Sequence, residues 1–197
     1  MSQKKKALVE ARLPTKYGTF QIIAFSGDSK EKENLALVMG NINGRMLDRV
    51  HSECFTGDVL HSMRCDCGEQ LDMAMEKIAE EGKGIIIYLR QEGRGIGLVN
   101  KLKAYNLQDD GMDTVEANIA LGFNAELRGY QGAVSILRNL GAEKIKLMTN
   151  NPSKIKDLEK AGFDVEHVKH SSEPNDENRD YLKTKASKMN HRLDVNN

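Results

Sequence analysis

"KIKLMTNNPSKIKDLEKAGFDVEHVKH" (residues 144–170) reads as strand, helix and strand in direct succession. "KIKLM" alternates lysine with apolar residues, the two-residue period of a strand. The strand ends at Thr149. Pro152 and Ser153 open a helix, where proline's fixed φ and missing N–H cost nothing. "PSKIKDLEKAG" carries that helix to Gly162, and "FDVEHVKH" returns as a strand. A β–α–β unit this compact points to an α/β fold.

The same grammar extends toward the N-terminus. Ala133, Ile136, Leu137 and Leu140 mark a helix. Thr114 is expected to cap a short helix over "VEANIALGF", and a further helix spans about Leu98 to Leu107. "GIIIYLR" has a continuous apolar run and reads as a buried strand. Before it, Leu71, Ala74, Met75, Ile78 and Ala79 follow helical spacing and should stop at "EEGKG". Residues 56 to 63 are expected to form one short helix with Thr56 as N-cap. The first fifty residues hold four strand-like runs, "KALVEARLP", "GTFQIIAF", "LALVMG" and "MLDRVHS". After His170 comes a polar tail with a helix around "NRDYLKTKASKMN". From about residue 171 it is expected to be mobile until a ligand or partner orders it. The whole, 1–197, is expected to be a single α/β domain with a mixed β-sheet and flanking helices.

Bulk composition narrows the function. The chain has 29 Lys+Arg and 29 Asp+Glu, so its formal charge is zero. A general binder of nucleic acid or anionic membrane would carry a basic excess. "MSQKKKALVE" has no apolar run behind its lysines, and "IIIYL" is far short of the ~20 residues of a membrane span. A cytoplasmic protein with reduced thiols is the expectation.

All three cysteines, Cys54, Cys65 and Cys67, fall within "HSECFTGDVLHSMRCDCG" (residues 51–68). An odd count disfavours a disulfide framework. Three soft thiolates suit zinc, and three protein ligands leave a fourth position for water. His51 or His61 as a fourth ligand would instead close the site. Three small buried hydrophobes are the plainer alternative. "HSE" fits part of a zinc-deaminase signature, but the Pro-Cys-x-x-Cys half is missing.

Two stretches suit phosphate. "RQEGRGIG" follows a buried strand and opens a helix, which presents backbone N–H groups to an anion, and Arg94 adds a guanidinium. "LMTNNPSK" repeats the arrangement, with Lys154 in a first helical turn, where a cation opposes the helix dipole unless an anion is bound. Arg49 adds a third cation. Zinc beside phosphate cradles suggests hydrolysis of a phosphorylated small molecule.

"RVHSECFTGDVLHSMRCDCGEQL", "RQEGRGIGLVNKLKAYNLQDDGMDTVEAN", "LGF" and "LMTNNPSK" together closely resemble GTP cyclohydrolase II. The resemblance covers nearly the whole chain. It implies hydrolysis of GTP at C8 of guanine, giving 2,5-diamino-6-ribosylamino-4(3H)-pyrimidinone 5′-phosphate, formate and pyrophosphate, the first step of riboflavin biosynthesis. It further implies one zinc per subunit on Cys54, Cys65 and Cys67, magnesium with the triphosphate, and a homodimer. GTP contacts are implied for Arg49, Val50, His51, Ser52, Glu53, Gln70, Glu92, Gly93, Arg94, Thr114, Thr149 and Lys154. Tyr105 is implied beside the ring being opened, and Glu126 and Arg128 at the α-phosphate. Arginine stays protonated, so a clamp on phosphoryl charge is the easier role for Arg128.

One segment departs from the family's Asp-x-Arg-Asp-Tyr run, reading "ELRGY" at residues 126–130. Glu126 is a methylene longer than aspartate, and Gly129 replaces a second acid. Two other readings therefore stand beside full turnover. One is a paralogue that stops at a formamidopyrimidine. The other is a zinc-stabilised nucleotide-binding protein without turnover.

Overall fold

The computed structural model describes residues 7–29, 32–124, 128–189 and 191–193. They form two compact units. The first comprises the chain as far as His51, Leu71–Arg90 and Gly129–His170. The second comprises Ser52–Gln70, Gln91–Arg128 and the chain from Ser171 onward.

The first unit is built on a seven-stranded sheet in the order β1-β2-β3-β5-β4-β6-β7. Its strands are β1 (Ala7–Thr15), β2 (Gly18–Ser29), β3 (Lys32–Met39), β4 (Arg45–Ser52), β5 (Gly84–Leu89), β6 (Lys144–Met148) and β7 (Asp164–Val168). β1, β2, β3 and β5 pair antiparallel, whereas β4, β6 and β7 pair parallel. The sheet is thus mixed. Within the parallel half, β6 and β7 are the segment that reads as strand–helix–strand, because a parallel return needs the crossover helix α6 (Pro152–Lys160).

Helices on both faces explain the unbroken apolar run of β5. Ile85, Ile87 and Leu89 join one core with Val134, Ile136 and Leu137 of α5 (Gln131–Leu140) and Leu158 of α6. Ile86 points the other way, into a second cluster with Leu47, Ala74 and Ile78. Ala74 and Ile78 belong to α2 (Cys67–Glu81). The isoleucines and leucine of β5 therefore all need apolar partners, on one face or the other. Gly84 lets α2 come close, since a Cβ there would lie 2.7 Å from Ile78 Cγ1 and 2.8 Å from the Leu47 carbonyl.

Among the buried polar residues of this unit, Asp48 stands apart. Asp48 on β4 is fully buried, and neither carboxylate oxygen has a hydrogen-bond partner among the described residues. Burial pushes its pKa up to about 8, although Arg49 and Lys154 pull the other way. The raised group binds its proton in the folded chain before the unfolded chain does. Its contribution to stability is therefore complete below about pH 4 and lost as pH rises through about 8. Asp48→Asn should flatten the fall in stability between those limits, as read by denaturant melts at pH 5 and pH 8.5. An equal fall in both proteins would show that Asp48 ionises normally.

In the second unit, α1 (Phe55–Asp58) is a single turn, shorter than expected, and its N-cap is Cys54 rather than Thr56. The Cys54 amide donates instead to Asp58 Oδ2 at 3.0 Å. α3 (Gly97–Asp109) follows a 3-10 turn over Glu92–Gly95. α4 (Thr114–Ala120) is capped by Asp113, not Thr114: Asp113 and Glu116 form a reciprocal capping box. The tail contains α7 (Arg179–Met189), which buries Leu182 and Lys185.

Candidate functional site

The second unit brings the three cysteines together. Their sulfur atoms all lie within 4.8 Å of one another, and Cys54 and Cys65 are 3.6 Å apart. Four-coordinate zinc with ~2.3 Å bonds to sulfur sets its thiolates about 3.8 Å apart, so the trio fits one ion. Local chemistry makes the space. A Cβ on Gly57 would lie 2.9 Å from Cys65 Sγ and 3.2 Å from Cys54 Sγ, so any other residue at that turn intrudes on the sulfurs. Hydrogen bonds from Cys65 and Cys67 hold the Cys54 thiol well below its usual range, and Lys101 adds to the effect. The same contacts push Cys65 up to about 11 and Cys67 well above normal. Zinc takes cysteine as thiolate, so its uptake by the trio would release protons.

A polar network surrounds Cys54. The Lys101 ammonium donates to Cys54 Sγ at 3.0 Å and to Glu92 Oε1 at 2.9 Å. Burial works to lower the Lys101 ammonium, but the Cys54 thiolate and Glu92 outweigh it and hold it above its usual value. Glu92 also accepts the Phe55 amide at 2.5 Å and the Gly93 amide at 2.7 Å. Thr56 Oγ1 lies 3.2 Å from the Tyr105 hydroxyl and 3.7 Å from Cys54 Sγ. Burial raises the Tyr105 phenol above its ordinary value, so it carries its proton at neutral pH.

The sulfurs open into a cavity also lined by Ser52, Glu53, Glu92, Gly93, Arg94, Tyr105, Thr114 and Arg128. The cavity thus gathers most of the expected site residues of this unit. Gly93 and Arg94 both adopt left-handed φ, 61° and 60°. For arginine that conformation is uncommon and marks a place where the surroundings dictate the backbone. Its Nη1 is buried without a hydrogen-bond partner among the described residues. Gln70 does not line the cavity; its amide donates to Asp66 Oδ2 at 2.6 Å. Glu126 lies outside the described residues. Gly129, in the first unit, is exposed, and a Cβ there meets nothing within 4 Å.

In the first unit, Arg49 Nη1 donates to the Met148 carbonyl at 3.0 Å, and Lys154 Nζ to that of Val50 at 2.6 Å. His51 stacks on Tyr88 with ring centroids 5.5 Å apart, and the Thr149 hydroxyl accepts the Asn151 amide at 3.1 Å. Arg49, Val50, His51, Thr149 and Lys154 are all buried, at the ends of the parallel strands β4 and β6 or just beyond. In open α/β sheets ligands bind beyond such strand ends.

Several contributors were not anticipated. Lys101 stands four residues before Tyr105 on α3, so helical spacing alone places both on one face. Tyr181 of α7 lines the cavity, with its ring 6.0 Å from the Arg94 guanidinium, and burial lifts its phenol to about 12. Lys185 of α7 pairs at 2.5 Å with Asp66, which sits between two of the cysteines. Lys188 pairs with Asp113 and Glu116 of the α4 capping box. Pairs this distant in sequence leave no local signal.

A GTP cyclohydrolase II family model matches residues 5–170 and stops short of α7. The chain is 50% identical over 198 residues to GTP cyclohydrolase-2 of Haemophilus influenzae (strain PittGG), covering 98% of this chain and 92% of that protein. It is likewise 50% identical over 197 residues to GTP cyclohydrolase-2 of Histophilus somni (strain 2336), covering 98% and 91%. Among solved structures, a two-domain 3,4-dihydroxy-2-butanone 4-phosphate synthase from A. baumannii shares the fold. Its TM-score is 0.50 at 24% identity, over 86% of this chain and 41% of that one.

Proposed function

This chain belongs to the GTP cyclohydrolase II family, and we propose that it hydrolyses GTP to 2,5-diamino-6-ribosylamino-4(3H)-pyrimidinone 5′-phosphate, formate and pyrophosphate, the first step of riboflavin biosynthesis. The observation that carries this reading is the convergence of three cysteine sulfurs on a cavity that also presents Tyr105, Arg94 and Arg128. Cys54, Cys65 and Cys67 hold one zinc per subunit. Zinc so held supplies Lewis acidity and lowers the pKa of a bound water toward ~7.

The chain's own residues supply the rest. Tyr105 keeps its proton and, steadied by Thr56, hands it to the imidazole nitrogen of guanine as the ring opens. Ser52, Glu53, Gln70 and Thr114 orient the nucleotide, together with Arg49, Val50, His51, Thr149 and Lys154. Arg94 and Gly93 bind phosphate oxygens, and the spare Nη1 of Arg94 suits that task. Arg128 clamps the charge that develops at the α-phosphate, Glu126 accepts a proton there, and magnesium accompanies the triphosphate. Glu92 acts through its contacts with Phe55, Gly93 and Lys101. We read residues 1–197 as one GTP cyclohydrolase II-like domain acting in the cytoplasm. No helix among the described residues is long and apolar enough to cross a membrane. Exposed Val59, Leu60, Met63, Val99 and Leu102 support a homodimer, since apolar surface of this kind is commonly covered by a partner.

The test is to incubate the zinc-loaded chain with GTP and magnesium and to assay formate and pyrophosphate separately. Equal release of both is expected. Formate without pyrophosphate would place the defect in "ELRGY", formamidopyrimidine without either would indicate a reaction halted at ring opening, and no turnover would leave only a binding role. Tyr105→Phe should retain its zinc and release formate about 100-fold more slowly, the lower range of general acid–base effects. A native rate would remove Tyr105 from the proton path.

A further inference from the structure

Three thiolates around one divalent cation leave a net negative charge in a site where Cys54 and Cys65 are buried. An uncompensated buried charge is costly, and electron-rich sulfur also weakens the metal as a Lewis acid. Among the described residues the Lys101 ammonium donates to a cysteine sulfur, 3.0 Å from Cys54 Sγ. Its side chain is only 11% exposed and its partner Glu92 only 3%. Glu92 is itself fixed by two backbone amides, one of them from Phe55, the residue after Cys54. The ammonium is thus tethered from behind and aimed at a sulfur. Nearby cations have other tasks: Arg64 binds both oxygens of Asp109, and Lys185 pairs with Asp66.

We propose that Lys101 is the counter-charge of the three-thiolate centre. It acts as a positioning residue that holds the Cys54 sulfur in place and withdraws electron density from it, while Glu92 holds Lys101. A loop read from sequence as a nucleotide contact then has a second task, bracing the metal site through its glutamate. The inference rests on the zinc reading above. No covalent step is involved; the ammonium keeps its protons and donates hydrogen bonds throughout.

Cobalt(II) in place of zinc makes the claim visible, because sulfur-to-cobalt charge transfer absorbs in the near ultraviolet at an energy set by the sulfur lone pairs. The native chain, Lys101→Met and Lys101→Arg are loaded with cobalt, and zinc affinity is measured in parallel by chelator competition. In Lys101→Met the band should move to lower energy, because the lone pairs lose a stabilising cation, and zinc affinity should fall about 10- to 100-fold. Lys101→Arg should hold the band near its native position. Should Lys101→Met fail to fold, Lys101→Gln, a donor without charge, is read in the same way. A native-position band in the uncharged variant overturns the proposal whatever the affinity. Failure of the native chain to take up one cobalt would instead overturn the metal reading itself, so the two failures are distinguishable.

Discussion

Cys65→Ser should lose zinc and with it the reaction: metal content is expected to fall from one per chain toward zero, and formate release from GTP to drop roughly 10³-fold or more. The size follows from what the metal supplies. Lewis acidity and a water of lowered pKa are together worth several kcal/mol of transition-state stabilisation, and each 1.36 kcal/mol is tenfold in rate. Serine keeps the volume of cysteine, but its hydroxyl does not give up a proton near neutral pH as a zinc-bound thiol does. The two remaining sulfurs, Cys54 and Cys67, are then a poor site for a four-coordinate ion. Elemental analysis and a formate assay on the same sample check the prediction. Stoichiometric zinc with a native rate would mean that Cys65, though 3.6 Å from Cys54, is not a ligand.

Lys185→Met should cost about 3–5 kcal/mol of stability in the zinc-loaded chain, the usual penalty for stripping one partner from a buried ion pair. Asp66 is 1% exposed, and its carboxylate accepts from Lys185 at 2.5 Å and from Gln70 at 2.6 Å. Burial works to lower the Lys185 ammonium, but Asp66 outweighs it and holds the group charged. Without Lys185 the carboxylate is left buried and underpaired between Cys65 and Cys67. The double variant Asp66→Asn/Lys185→Met should recover much of the loss, because it removes the stranded charge as well. Denaturant unfolding of the two proteins checks this. A loss below about 1 kcal/mol in Lys185→Met would show a pair open to solvent, with α7 contributing little to the zinc loop.

The residues that were legible in advance share a property: their signals are local. "KIKLMTNNPSKIKDLEKAGFDVEHVKH" announces β6, α6 and β7 because period, proline and glycine all lie within it. "IIIYL" announces a doubly covered strand for the same reason. The cysteines are legible because their chemistry is uncommon and their spacing tight. What was missed depends on context. Thr56 is a favourable capping residue by type, yet the N-cap is Cys54, two residues earlier, and the Thr56 hydroxyl instead faces Cys54 and Tyr105. Asp113 outcompetes Thr114 as a cap because Glu116 completes the box. Asp48 sits in a buried run that also holds Arg49 and His51, and nothing in "MLDRVHS" marks its carboxylate as left without a hydrogen-bond partner among the described residues. The pairing of Asp66 with Lys185 spans 119 residues and exists only once both segments are folded.

The proposed activity depends on the three sulfurs holding the metal with which this chain acts on GTP. The direct measurement is to titrate zinc into the metal-free chain while following formate release from GTP and magnesium. The rate is expected to climb from near zero and break sharply at one zinc per chain, with no response in a chain whose cysteines have been alkylated. Full formate release before any metal is added, or an undiminished response after alkylation, would contradict it.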